Sequence, residues 1–218
     1  MDNFMNIYNE WLSSPYLDAE SKTELEEIKS DTEEIKSRFW APLEFGTAGL
    51  RGLMKAGLSC MNIYTVAQCT QALAENILSE KKDGKVVITY DTRLNSDSFA
   101  KLSASVLAAN GIKVYLFDSP RPTPELSFAI LRLGCDAGIN ITASHNSAEY
   151  NGYKVYWEDG AQITPPHDNG IMAEVKAVTD YSTVKTMDKQ EAIDKGLYIV
   201  IGKEIDDAYM VELKKQII

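Results

Sequence analysis

Residues 135–157 read Cys135-Asp-Ala-Gly-Ile-Asn-Ile-Thr-Ala-Ser-His-Asn-Ser-Ala-Glu-Tyr-Asn-Gly-Tyr-Lys-Val-Tyr-Trp157. The flanks, 135–141 and 153–157, alternate and carry β-branched and aromatic residues, which predicts two strands. Thr142 to Gly152 is polar and rich in Ser, Asn and Gly, which predicts a loop at the strand ends. A connection this short turns the chain back, so the strand ending at Trp157 is expected to run antiparallel to its predecessor.

Moving upstream, Val86-Val-Ile-Thr-Tyr90 is a short apolar, β-branched run of the kind buried on both faces of a sheet. Ile112 to Phe117 reads the same way. Between these strands lie helical patterns, with Asn62 capping one that runs to about Glu80, Ser96 to Asn110 forming the next, and Thr123 capping a third with Pro124 in its first turn. Gly111 and Gly134 are placed to end the last two. The alternation of strand and helix predicts an α/β fold, a three-layer α/β/α sandwich around a mixed, mostly parallel sheet.

Phe4, Ile7, Tyr8, Trp11 and Leu12 recur at helical spacing near the N-terminus, and Ser21-x-x-Glu24 and Asp31-x-x-Glu34 resemble capping boxes of further helical pieces. Thr164 and Pro165 open another helix with Ile171, Met172, Val175 and Val178 on its apolar side. His167 at its start reads as a surface or capping residue, with loop positioning as the other reading. The expected organisation is one domain over residues 1–180, a polar linker over 181–196, and a strand and helix over 197–218 that start a second unit.

The chain has 218 residues, 44% of them hydrophobic, and a formal net charge of −10. That length buries one good core. The acidic balance argues against nucleic acid or an anionic membrane as a partner, since both need a basic face. Cys60, Cys69 and Cys135 have neither disulfide-framework nor zinc spacing, which predicts a reducing, cytoplasmic setting. Acidic Asp2 and the lack of a long apolar run predict neither leader nor membrane span.

The central loop carries a hydroxyl at Ser144, with His145 beside it and Lys154 ten residues on. A phosphate on Ser144 would bring a charge of roughly −1.5 to −2 and three strong acceptors, which His145, Lys154 and the turn formers Asn146, Asn151 and Gly152 could meet. Composition alone leaves an active-site loop and a plain Ser/Asn-rich turn equally open. Phe45-Gly-Thr-Ala-Gly-Leu-Arg-Gly52 lets a backbone approach a phosphate closely, yet by itself reads as a structural turn with a solvated arginine. Asp91-Thr-Arg93 sits at a strand's carboxyl end, where ligands bind in open α/β sheets, or else braces the next helix. A serine hydrolase built on Ser144 and His145 lacks the G-x-S-x-G elbow.

Thr142-Ala-Ser-His-Asn with Tyr150-Asn-Gly-Tyr-Lys154 resembles the phosphoserine loop of the α-D-phosphohexomutases, the superfamily of phosphoglucomutases and phosphomannomutases. The likeness extends through Val155 to Ile163 and Pro165-Pro-His-Asp168, in wording similar to the phosphopentomutase-like branch, and reappears in Phe45–Gly52. One departure is Ser147, where the resembling loops carry proline, which would hold φ near −65°.

The resemblance implies intramolecular phosphoryl transfer, glucose 1-phosphate to glucose 6-phosphate or the mannose equivalent, through phosphoserine 144 and a hexose bisphosphate. It implies Arg51 as a phosphate clamp, Lys154 as general acid/base and phosphate partner, His145 as orienter or proton-transfer partner, and Asn146 as a phosphate-binding loop residue. Mg²⁺ would be bound by Ser144 through its phosphate and by an Asp-rich loop of a second domain. No such loop occurs in this sequence. The chain would then be the first of four domains, with its later domains as partners and hexose phosphate and bisphosphate as ligands, and inactive alone. A non-catalytic phosphosugar-binding fragment or pseudo-enzyme domain is the alternative, followed by a phosphopentomutase.

Overall fold

Strand β2 (Lys85–Tyr90) sets the architecture, because its successive side chains feed two different layers. In a computed structural model of the chain, which describes residues 3–43, 49–164 and 181–217, Val86, Ile88 and Tyr90 enter one apolar cluster, and Val87 enters another on the opposite face. Val86, Val87 and Ile88 are fully buried. Each such side chain contributes about 1.5–3 kcal/mol relative to exposure, so both faces must be covered by helices.

The cover on the first face comes from α4 (Ile63–Glu80) and α5 (Ser96–Ala109). On the second it comes from α6 (Thr123–Leu133), through Leu126, Ala129 and Ile130. Six strands form the sheet between them, in the order β1 (Leu50–Leu53), β5 (Tyr150–Trp157), β4 (Ala137–Ile141), β2, β3 (Lys113–Phe117) and β6 (Tyr198–Ile201). β3 and β4 flank β2 in parallel. β5 returns antiparallel beside β4, as the short connection requires, and β1 closes that edge antiparallel to β5. The α/β/α sandwich with a mostly parallel sheet is therefore present.

The caps agree in part with the sequence. Asn62 accepts from the amides of Tyr64 and Thr65, completing a capping box, and Gly111 and Gly134 take positive φ at helix ends. Thr123 does not cap α6; the helix starts one residue earlier than expected, after Pro122, and the Thr123 hydroxyl accepts instead from Asn140 Nδ2.

The N-terminal helices α1 (Asn3–Ser13), α2 (Ala19–Glu27) and α3 (Thr32–Phe39) form their own apolar cluster of Phe4, Tyr8, Leu25, Ile35 and Phe39. α2 is capped by Asp18, not Ser21, so Glu24 is free to pair with the buried Arg38 and to accept from the Ala56 amide. Asp31 does cap α3.

Residues 181–217 depart from the expected linker and second unit. A 3-10 turn (Tyr181–Thr183) and α7 (Lys189–Asp194), with Ala192 buried in the first core cluster, occupy the linker. β6 (Tyr198–Ile201) pairs in parallel with β3 and is the sixth strand of the same sheet. α8 (Lys203–Lys214) then packs beside α6, burying Ile205 and fixing Asp206 to Arg121 at 2.6 Å. An apolar strand and helix gain more by extending an existing sheet edge than by standing apart, since the unpaired β3 edge is satisfied at the same time.

The helix expected from Pro165 and the His167 at its start lie outside the described residues, as does Phe45 to Ala48. No helix among the described residues is long and apolar enough to cross a membrane.

Candidate active site

Ser144 lies at the carboxyl end of β4, where the chain leaves the sheet before returning as β5. Thr142 Oγ1 accepts from the Ser144 amide at 3.0 Å, and Asn146 N donates to Ala143 O at 3.2 Å, which coils the loop tightly over the strand end. Ser144 itself has φ +57°, the left-handed region. For a residue with a Cβ this costs on the order of 1 kcal/mol, so the loop holds it there against its own preference. Its side chain is exposed.

The neighbouring strands bring two cations to the same place. Arg51 on β1 stands opposite Gly152 on β5, and Lys154 follows two residues later on β5, opposite Asn140 of β4. Gly152 is required there: a Cβ would meet Thr142 O at 2.6 Å and Leu50 O at 2.8 Å, forcing both flanking strands away. Leu50, Arg51, Thr142, Ala143, Ser144, His145 and Lys154 together line a cavity of about 140 Å³. Among the described residues no carboxylate pairs with Arg51 or Lys154, so both charges face the cavity in a chain of net charge −10. Such an arrangement suits an anion.

Four of the five expected site residues, Arg51, Ser144, His145 and Lys154, thus line one cavity. Asn146 sits one step back, its Oδ1 accepting from Arg51 Nη1 at 2.9 Å. Ser144 Oγ lies 3.3 Å from His145 Nδ1, with the ring tautomer left open by that contact. A hydrolytic dyad also needs a group that orients the histidine. Among the described residues no carboxylate accepts a hydrogen bond from His145.

The sequence offers two readings of Asp91-Thr-Arg93, ligand binding and bracing of the next helix; the structure gives Arg93 a third place, against the serine loop, and leaves the helix contact to Asp91. The Arg93 guanidinium lies beneath residues 144–150 and is bonded to their main chain, while Asp91 caps the region by accepting from the amide of Arg93 and the hydroxyl of Ser96. The available signal was its place: the Asp-x-Arg follows β2 at the same sheet end as the loop after β4.

Magnesium requires an octahedral oxygen set, usually including one or two carboxylates. Among the described residues no group of three or more His, Cys, Asp or Glu side chains could hold a metal. A phosphate on Ser144 would offer one oxygen and the cavity wall otherwise offers cations, so these residues alone do not fit the ion.

The family profile for phosphoglucomutase/phosphomannomutase, alpha/beta/alpha domain I, matches residues 42–182. The chain is 45% identical over 157 residues to a phosphopentomutase of Pongo abelii, covering 68% of this chain and 26% of that protein. It is 40% identical over 183 residues to a human glucose 1,6-bisphosphate synthase, covering 79% and 29%. A crystal structure described as a phosphomannomutase from Thermus thermophilus superposes with a TM-score of 0.68 at 30% identity, covering 82% of this chain and 37% of the other. The chain therefore spans about a quarter to a third of the length of the relatives it matches. With the family's domain I profile spanning both the cavity-lining strands and the Ser144 loop, this chain belongs to the phosphoglucomutase/phosphomannomutase family.

Proposed function

We propose that this chain is the phosphoserine domain of a phosphosugar mutase whose further domains supply the rest of the active site. Ser144 carries the transferable phosphoryl group. The Oγ–P bond breaks as a free hydroxyl of the sugar phosphate bonds to phosphorus; Lys154 gives a proton to the departing Ser144 oxygen and takes the proton of the attacking hydroxyl in its place. The resulting bisphosphate turns over, and its other phosphoryl group returns to Ser144 as Lys154 protonates the leaving sugar oxygen and takes the Ser144 hydroxyl proton. Arg51 spreads the charge of the equatorial phosphoryl oxygens, and His145 orients the serine oxygen.

The observation that carries this reading is the exposed, left-handed Ser144 in one cavity with two cations that no described carboxylate neutralises. A hexose phosphate is the proposed substrate, with the phosphoglucomutases and phosphomannomutases of the family as support. The phosphopentomutase name of a 45% identical relative makes a pentose phosphate the second substrate to compare.

Incubating the full-length protein with glucose 1,6-bisphosphate and mapping the product by peptide mass spectrometry tests the assignment. One phosphate is expected on Ser144 and none in Ser144→Ala. Label on another residue, or label retained in the variant, would overturn it.

A further inference from the structure

The reaction scheme uses the cavity wall and leaves Arg93 without a part, yet its side chain is only 14% exposed and its bonds are directed at one target. Nη1 donates to the carbonyl oxygens of Ser147 at 2.8 Å and Tyr150 at 3.1 Å. Nη2 donates to those of Ser144 at 2.9 Å and Asn146 at 2.6 Å. Nε faces Asp91 Oδ2 at 3.4 Å. The four terminal N–H groups of a planar fork are therefore taken by four carbonyls of a single loop, a pattern that arginine can make and lysine, with three donors on one atom, cannot.

The anchor beneath is also built. Asp91 Oδ1 accepts from Arg93 N at 2.9 Å and from Ser96 Oγ at 2.8 Å. Ser96 Oγ in turn accepts from Asn151 Nδ2 at 3.0 Å, and Asn151 Oδ1 accepts from Gly152 N at 2.8 Å. Ser96 and Asn151 are fully buried. Both ends of the loop thus converge on Asp91, one through Arg93 and the other through Ser96 and Asn151.

We propose that Arg93 is the positioning residue of the nucleophile loop: its fork gathers the carbonyls of Ser144, Asn146, Ser147 and Tyr150 and so holds Ser144 in the left-handed conformation that presents Oγ to the cavity. Four carbonyl dipoles turned toward one point repel each other unless a cation sits among them, so the loop shape and the arginine depend on each other. Ser147 leaves its own φ unconstrained, and Arg93 supplies the constraint from outside the loop. This inference rests on Ser144 being the nucleophile.

Amide hydrogen exchange across residues 142–150 of the 218-residue chain tests it in Arg93→Ala and Arg93→Lys. Exchange at Ser144, Asn146 and Tyr150 should quicken about tenfold or more in both variants, while amides of β2 and β4 stay near wild type. Guanidinium at about 20 mM, far below denaturing concentrations, should slow the loop again in the Ala variant, where the fork's space is empty. Equal sodium chloride should not. In the full-length protein the same rescue should restore the rate of Ser144 phosphorylation. Unchanged loop exchange, rescue by sodium chloride alone, or quickening spread over β2 and β4 would overturn the inference; if Arg93→Ala does not fold, the Lys variant decides on loop against strand exchange. Absence of phosphate on Ser144 in wild type would remove the mutase reading and leave the exchange result standing, whereas normal phosphorylation with unchanged exchange would remove this inference alone.

Discussion

Arg51 Nη1 donates to Asn146 Oδ1 at 2.9 Å, joining edge strand β1 to the serine loop across 95 residues of chain. The bond places the guanidinium at the cavity wall, with its remaining donors unpaired among the described residues and able to turn toward an anion. Arg51 is exposed, so Arg51→Ala should leave the melting temperature within about 2 °C of wild type. In the full-length protein it should lower kcat about 10²-fold, the usual cost of one charge-stabilising donor. Steady-state kinetics beside a thermal melt checks this; a large loss of stability would make Arg51 a structural residue.

Glu125 on α6 is buried at 4% exposure, its Oε1 has no hydrogen-bond partner among the described residues, and Asp206 of α8 lies beside it. Burial, followed by Asp206, pushes its carboxyl from 4.5 to about 7. Asp206 is held below its ordinary range, chiefly by the hydrogen bond from Arg121. Because Glu125 binds its proton more tightly folded than unfolded, its contribution is fully present below pH 4.5 and is lost as pH rises through about 7. Wild type should therefore melt several degrees lower at pH 8 than at pH 6, and Glu125→Gln should flatten that slope. Equal slopes in the two proteins would refute the assignment.

Much of the fold was legible because β2, β3 and β4 are short apolar runs separated by helical periodicity, a pattern that only a sheet covered on both faces satisfies. The cavity was legible through Ser144, His145 and Lys154, which lie within eleven residues of each other. Arg93 was not, since a guanidinium that binds main-chain carbonyls 51 to 57 residues away leaves no trace in local spacing. β6 was misplaced for a related reason: the four residues of Tyr198–Ile201 carry strand propensity but no information on which edge they join. The same limit moved the cap of α2 from Ser21 to Asp18, because Glu24 had a distant partner in Arg38.

The pairing of β6 with β3 makes the last strand and helix part of the domain's cooperative unit. Ile205 of α8 is 4% exposed in the cluster with Val87, Leu126 and Ile130. Ile205→Ala should cost the whole domain about 2–4 kcal/mol in a single unfolding transition followed in urea. An unchanged main transition, with a separate early one, would mean that residues 197–218 stand apart from the sheet.

The 218-residue chain by itself should fold yet not interconvert sugar phosphates. Its cations, Arg51 and Lys154, line a single cavity with Ser144, which suits one phosphoryl group. A mutase must also hold the substrate's other phosphate so that the sugar presents each end in turn, and positioning of that kind is worth several kcal/mol of barrier. The described residues lack a group of acidic or histidine side chains fit for a metal, so added Mg²⁺ should change sugar phosphate binding little. An assay coupled to glucose 6-phosphate formation from glucose 1-phosphate and a trace of glucose 1,6-bisphosphate should stay at background, with and without Mg²⁺. Turnover that depends on Mg²⁺ and disappears in Ser144→Ala would mean that this one domain suffices, and that the ligands assigned to further domains are supplied by the chain itself.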